Sequence, residues 1–75
     1  VEHALVAVTV VHASVAAADA WATALMVLGP EEGMALARRQ GLAALFVTRS
    51  AAAGQFAESA TPQFERLRLR TDARL

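Results

Sequence analysis

There is no cysteine in this chain, so neither a disulfide nor a thiolate metal site can hold it together. There is no net charge either, since seven arginines offset seven carboxylates, and no global field draws the chain to nucleic acid or an anionic membrane. Charge is scarce at one end in particular: residues 1–29 carry only Glu2 and Asp19, and the remaining charges lie from Glu31 onward. The apolar run over residues 4–18 is interrupted by Thr9, His12 and Ser14, and its start is too β-branched for a membrane-spanning helix. No internal repeat or low-complexity linker divides the chain. No initiator methionine and no basic-then-apolar leader open it.

What is present is apolar: 56% of the 75 residues are hydrophobic, mostly Ala, Val and Leu. A domain this small has too much surface to hide that much apolar area. The expectation is a piece of a longer protein, with an apolar surface covered by a missing upstream segment or by self-association. Residues 3–11, HALVAVTVV, are apolar on both alternating sets and predict a strand covered on both faces. Ser14 offers an N-cap, and residues 15–28 predict a helix ended by Gly29 in a left-handed conformation. Pro30, Glu31 and Glu32 suit the start of a second helix, Arg38 and Arg39 its end, and Gly41 its stop. A strand is predicted over 42–48, a turn at RSAAAGQ, and a short return strand at FAES. From Phe64 the alternation of Arg66, Leu67, Arg68, Leu69 and Arg70 reads as an exposed edge strand or a frayed end. The fold class is therefore α+β, a strand–helix–helix–strand unit with a trailing hairpin or edge strand.

Within the first helix, Asp19 and Thr23 lie about 40° apart around the axis and roughly 6 Å apart along it. Trp21, Leu25 and Leu28 fall on the opposite side as a core stripe, while Ala22 and Met26 share the side of the pair. Capping does not explain Asp19, which sits well past Ser14, and a mid-helix Asp costs several tenths of a kcal/mol relative to Ala. Two readings remain open: a hydrogen-bonded or solvated pair, or a carboxylate and a hydroxyl offered to a hard cation such as Mg²⁺. His3 and His12 flank the first strand and read as surface or hydrogen-bonded residues. Trp21, facing away from Asp19, reads as a core anchor, and the arginines at 66, 68 and 70 as edge-protecting charges.

The stretch VAVTVVHASVAAADAWATALMVLGPEEGMALARRQGLAALFV, residues 6–47, resembles the C-terminal part of the ApbE-type flavin transferases. These are FAD:protein FMN transferases, formerly called thiamine biosynthesis lipoproteins. The resemblance rests on a valine-rich strand, a helix of the form A-D-A-x-A-T-A-L, a V-L-G-P-E-x-G turn and an A-A-L-F-V strand. It implies that residues 1–75 are an incomplete, C-terminal segment of a larger ApbE-like (T-fold-like) α/β domain, with 64–75 having no clear family counterpart. It also implies that Asp19 and Thr23 bind Mg²⁺ against the pyrophosphate of FAD. FMN would then pass as a phosphoester to Ser or Thr of a target flavoprotein, with release of AMP. A bacterial periplasmic or lipid-anchored inner-membrane location is implied on the same ground. The family's H-x-x-D-P-R-T-G segment and flavin cradle are not in these 75 residues, so the piece alone is expected to be inactive. Trp21 stands where a leucine is common. Two other readings stay open: a non-catalytic βααβ assembly module, and an ApbE-like protein that binds or hydrolyses FAD without transfer.

Overall fold

The computed structural model describes residues 4–49 and 54–73. Five elements follow in order: β1 (Leu5–Val11), α1 (Val15–Arg39), β2 (Ala43–Arg49), β3 (Phe56–Ala60) and α2 (Pro62–Ala73). The strands form one antiparallel sheet in the order β1-β2-β3, so β2 is central among the described strands. Among the described residues no helix is long and apolar enough to cross a membrane.

The register separates the two faces of this sheet. Val8 stands opposite Phe46, Val10 opposite Ala44, and Ser59 opposite Phe46 on the other side. Directly opposed residues share a face, so Val8, Val10, Ala44, Phe46 and Ser59 lie on one side. This is the side that α1 covers, because Leu25 and Ala37 of α1 form one buried cluster with Leu5, Leu42, Ala44 and Phe46. Full burial of Leu25 and Phe46 stabilises by about 1.5–3 kcal/mol each. The second face carries Thr9, Leu45, Val47 and Glu58, and α2 reaches it: Arg68 approaches the Glu58 carboxylate at 3.7 Å.

The two expected helices are present, meeting at a sharp break at Gly29 within the span α1. Gly29 has φ 89° and ψ 177°. The positive φ is as expected, but the extended ψ is not the left-handed helical value. The cause is Pro30, whose ring pushes the preceding residue to extended ψ and offers no N–H to the helix. Only glycine occupies that combination without strain. Past the kink the chain turns back closely: a Cβ on Gly33 would lie 2.9 Å from the Leu25 carbonyl oxygen and 3.0 Å from the Phe46 ring. The helix ends as expected at Gly41, φ 67°, with Gly41 N–H donating to Arg38 O and Leu42 N–H to Ala37 O. These are the two reverse bonds of a Schellman stop.

Among the described residues α1 packs on one face of β1 while α2 packs on β2, so Val6 and Val11 are exposed. Two expectations are corrected. Leu28 is exposed, since the core stripe centres on Leu25 with Trp21 and Met26 flanking it. The tail from Phe64 is neither an edge strand nor frayed but lies within helix α2. Its start is fixed by Thr61, whose hydroxyl accepts from Phe64 N–H at 3.3 Å while its carbonyl accepts from Glu65 N–H. Pro62 at the first helical position suits the helix geometry. His3 and most of the predicted turn after Arg49 lie outside the described residues.

Candidate functional site

The site-bearing part of α1 starts where its sequence requires. Ser14 is extended, at φ −100° and ψ 125°, and its hydroxyl accepts from Ala17 N–H at 3.2 Å. His12 adds a brace: its Nδ1 accepts from Ser14 N–H at 3.0 Å, so this histidine is a hydrogen-bonded turn residue. From that fixed start the helix turns Leu25 into the core and leaves Asp19 and Thr23 exposed on another face.

Asp19 and Thr23 are thus brought together on one helix face, one turn apart. Their local chemistry is specific. The Thr23 hydroxyl donates to the Asp19 backbone carbonyl oxygen at 3.0 Å, not to the Asp19 carboxylate. A hydroxyl that binds a cation keeps its proton and must point it elsewhere while a lone pair faces the metal. Thr23 already disposes of its proton in this way. Among the described residues the Asp19 carboxylate has no hydrogen bond or ion pair, so its oxygens are open as acceptors. The pair therefore fits a hard, oxygen-seeking cation in donor type and exposure. It does not complete a site: no group of three or more His, Cys, Asp or Glu that could hold a metal occurs among the described residues. Mg²⁺ takes six oxygens, so the others must come from water, phosphate or protein beyond this pair.

Two grooves lie elsewhere. One of about 470 Å³ is lined by Pro30, Glu31, Met34, Phe46, Thr48 and Ser59, beside the kink. Another of about 320 Å³ runs along the outer side of α1 past Leu28, Glu32 and Arg39. Neither is lined by Asp19 or Thr23, and neither was foreseen from sequence. Nor does the sequence pattern assign Thr61 a role beyond a helix-start signal, the T-P-x-x-E spacing from Thr61 to Glu65. Thr61 is fully buried and makes three side-chain hydrogen bonds: it donates to Leu42 O at 2.6 Å and accepts from Ala44 N–H and Phe64 N–H. Its role is to dock α2 on β2.

The comparisons with known proteins agree with one another. An FAD:protein FMN transferase of Escherichia coli (strain K12) is 45% identical over 65 residues, which is 87% of this chain and 18% of that protein. The FAD:protein FMN transferase of Salmonella typhimurium is 38% identical over the same length. Among solved structures, the apo form of the flavinyl transferase ApbE of Pseudomonas stutzeri superposes with a TM-score of 0.83 at 51% identity. The match covers 89% of this chain and 21% of that one. The flavin transferase ApbE of Vibrio cholerae gives a TM-score of 0.79 at 35% identity, over 88% and 21% of the two chains. The chain thus spans about a fifth of the length of these relatives. The sequence model of the ApbE family matches residues 1–46, and together with these relatives that match shows that the chain belongs to the ApbE family.

Proposed function

We propose that these 75 residues form the C-terminal, Mg²⁺-binding part of an FAD:protein FMN transferase, acting within a complete ApbE domain. The reaction cleaves the FAD pyrophosphate and joins FMN through a phosphoester to a Ser or Thr hydroxyl of a target flavoprotein, releasing AMP. The observation that carries the reading is the pairing of an open Asp19 carboxylate with a Thr23 hydroxyl whose proton is already committed to the Asp19 carbonyl. Similarity to enzymes named FAD:protein FMN transferase supports the substrate and the reaction type.

The residues divide the work by charge. Asp19 supplies the negative charge that retains a dication, and Thr23 supplies a neutral oxygen one turn on. Held by Asp19 and Thr23, Mg²⁺ would supply Lewis-acid polarisation of a phosphoryl oxygen and would offset charge on the leaving phosphate. The helix holds both oxygens on a rigid element, with Leu25 locked in the core below them, so their spacing does not depend on loop order. Two oxygens and no flavin cradle leave the 75-residue chain alone without transferase activity.

The test uses a complete ApbE domain carrying this segment, with FMN transfer measured against Mg²⁺ concentration and Mg²⁺ binding followed by calorimetry. Asp19→Asn keeps the shape and removes the charge: activity is expected to fall steeply and recover in part with excess Mg²⁺, with the melting temperature kept or slightly raised. Thr23→Val should weaken Mg²⁺ binding less, and Thr23→Ser least. An Asp19→Asn variant with the parent's Mg²⁺ dependence and Mg²⁺ affinity would sink the metal assignment.

A further inference from the structure

Asp19 and Thr23 share a helix face, but the two are held by different means. Thr23 stands two residues before Leu25, which is fully buried and fixes that part of α1. Asp19 lies nearer the start of the helix. Between Ser14 and Trp21 the only apolar side chains are Val15 and four alanines, and methyl groups give little apolar area to whatever packs against them. What fixes the Asp19 turn from its N-terminal side is therefore polar. His12 Nδ1 accepts from Ser14 N–H at 3.0 Å, Ser14 Oγ accepts from Ala17 N–H at 3.2 Å, and the Ser14 carbonyl accepts from Ala18 N–H at 3.0 Å. By helical geometry Asp19 N–H takes the next carbonyl, that of Val15. The Asp19 carbonyl in turn accepts from the Thr23 hydroxyl at 3.0 Å. These bonds run without a gap from His12 to Thr23.

We propose that His12 is a positioning residue for the metal pair: by holding Ser14 N–H it fixes the cap from which the Asp19 turn is wound. The inference rests on the Mg²⁺ reading of Asp19 and Thr23. Ser14 caps the helix from an extended backbone, with its hydroxyl laid over the first turn. The bond from Ser14 N–H to His12 spans two residues and closes the turn that sets up this conformation. Asn and Asp side chains close turns across the same span. The ring accepts only through an unprotonated Nδ1, so the proton of the neutral imidazole sits on Nε2.

The consequence for the site follows from how helix ends behave. A helix end without its polar braces opens at little cost in free energy. An unwound first turn removes the Val15 carbonyl from Asp19 N–H, and the carboxylate leaves the face it shares with Thr23. Apparent Mg²⁺ affinity then falls with the fraction of molecules in which the pair is assembled. Every bond in the set lies within residues 12–23, so none draws on the remainder of an ApbE domain.

The experiment uses a complete ApbE domain carrying this segment, with Mg²⁺ binding followed by calorimetry and amide exchange followed in the metal-free protein. His12→Ala should quicken exchange at Ala17, Ala18 and Asp19 about two- to tenfold, as the loss of one hydrogen bond does. It should also weaken Mg²⁺ binding about two- to fivefold. His12→Asn, whose Oδ1 accepts across the same span, should restore both to the parent's values. Arg68→Gln removes exposed ion pairs on the other helix and should leave Mg²⁺ affinity unchanged, which separates positioning from a general loss of stability. The parent's Mg²⁺ affinity in His12→Ala, weaker binding there without faster exchange, or a His12→Asn variant as weak as His12→Ala would each overturn the proposal. If Asp19→Asn still weakened Mg²⁺ binding in that case, the metal reading would stand without it. Unchanged Mg²⁺ affinity in Asp19→Asn would overturn both.

Discussion

The two helices hold to the same sheet by opposite means. α1 brings one charged side chain, Asp19, in its whole first half and is anchored by apolar contact through Leu25, Ala37 and the Phe46 ring. α2 is mostly polar, buries little, and is anchored at its first turn by the Thr61 hydroxyl, with Arg68 bridging to Glu58 and Glu65 at 3.7 and 3.5 Å. The difference shows where stability resides. Apolar packing spreads over many contacts, whereas a buried hydroxyl concentrates the docking of a helix on one residue.

Phe46→Ala tests the first half of this comparison and should have the largest effect. It removes the ring that touches α1 on both sides of the kink and leaves a cavity, for a loss of about 3–5 kcal/mol. For a chain this small that is enough to unfold it, and urea denaturation measures it. A loss below that of a surface substitution would mean that α1 is not held by this core.

Thr61→Val tests the second half and ranks next. It preserves shape but strands the buried Leu42 carbonyl and Ala44 N–H, at about 1–3 kcal/mol for each unsatisfied group. Thr61→Ser keeps the oxygen and should be much milder. Hydrogen exchange should show α2 opening in Thr61→Val before the β1–β2 ladder does.

Arg68→Gln should have the smallest effect, below about 1 kcal/mol, because both of its carboxylate partners and the guanidinium are half-exposed. It also removes a contact of the guanidinium over the Phe64 ring, 5.2 Å from its centroid, so a small salt-independent part should remain. A thermal melt across ionic strength checks this. If Arg68→Gln cost more than Thr61→Val, charge rather than the buried hydroxyl would hold α2.

The same contrast explains which parts of the molecule were legible beforehand. The cap at Ser14, the break at Gly29 and Pro30, the stop at Gly41 and the strands on either side were all readable, because each rests on the conformational limits of one or two residues. Asp19 and Thr23 were readable as a pair because helical spacing fixes them without help from the rest of the chain. α2 is not legible from its arginine–leucine alternation, which fits a strand by period; the helix start that decides otherwise lies two residues earlier, at Pro62. The exposure of Leu28 is not legible either, because helical spacing defines a stripe only to within tens of degrees and the sheet decides its centre.

By itself, then, the sequence determined the local stops and starts, the absence of covalent or thiolate bracing, and the presence of two oxygens on one helix face. Those follow from backbone sterics and periodicity, which act over a few residues. Only the tertiary structure decided the near contact of Gly33 with Leu25 and Phe46 and the seating of Thr61 between Leu42 and Ala44. Each of these joins positions far apart in the chain, and their proximity is set by how the kinked helix and the strand register pack together, which no local pattern encodes.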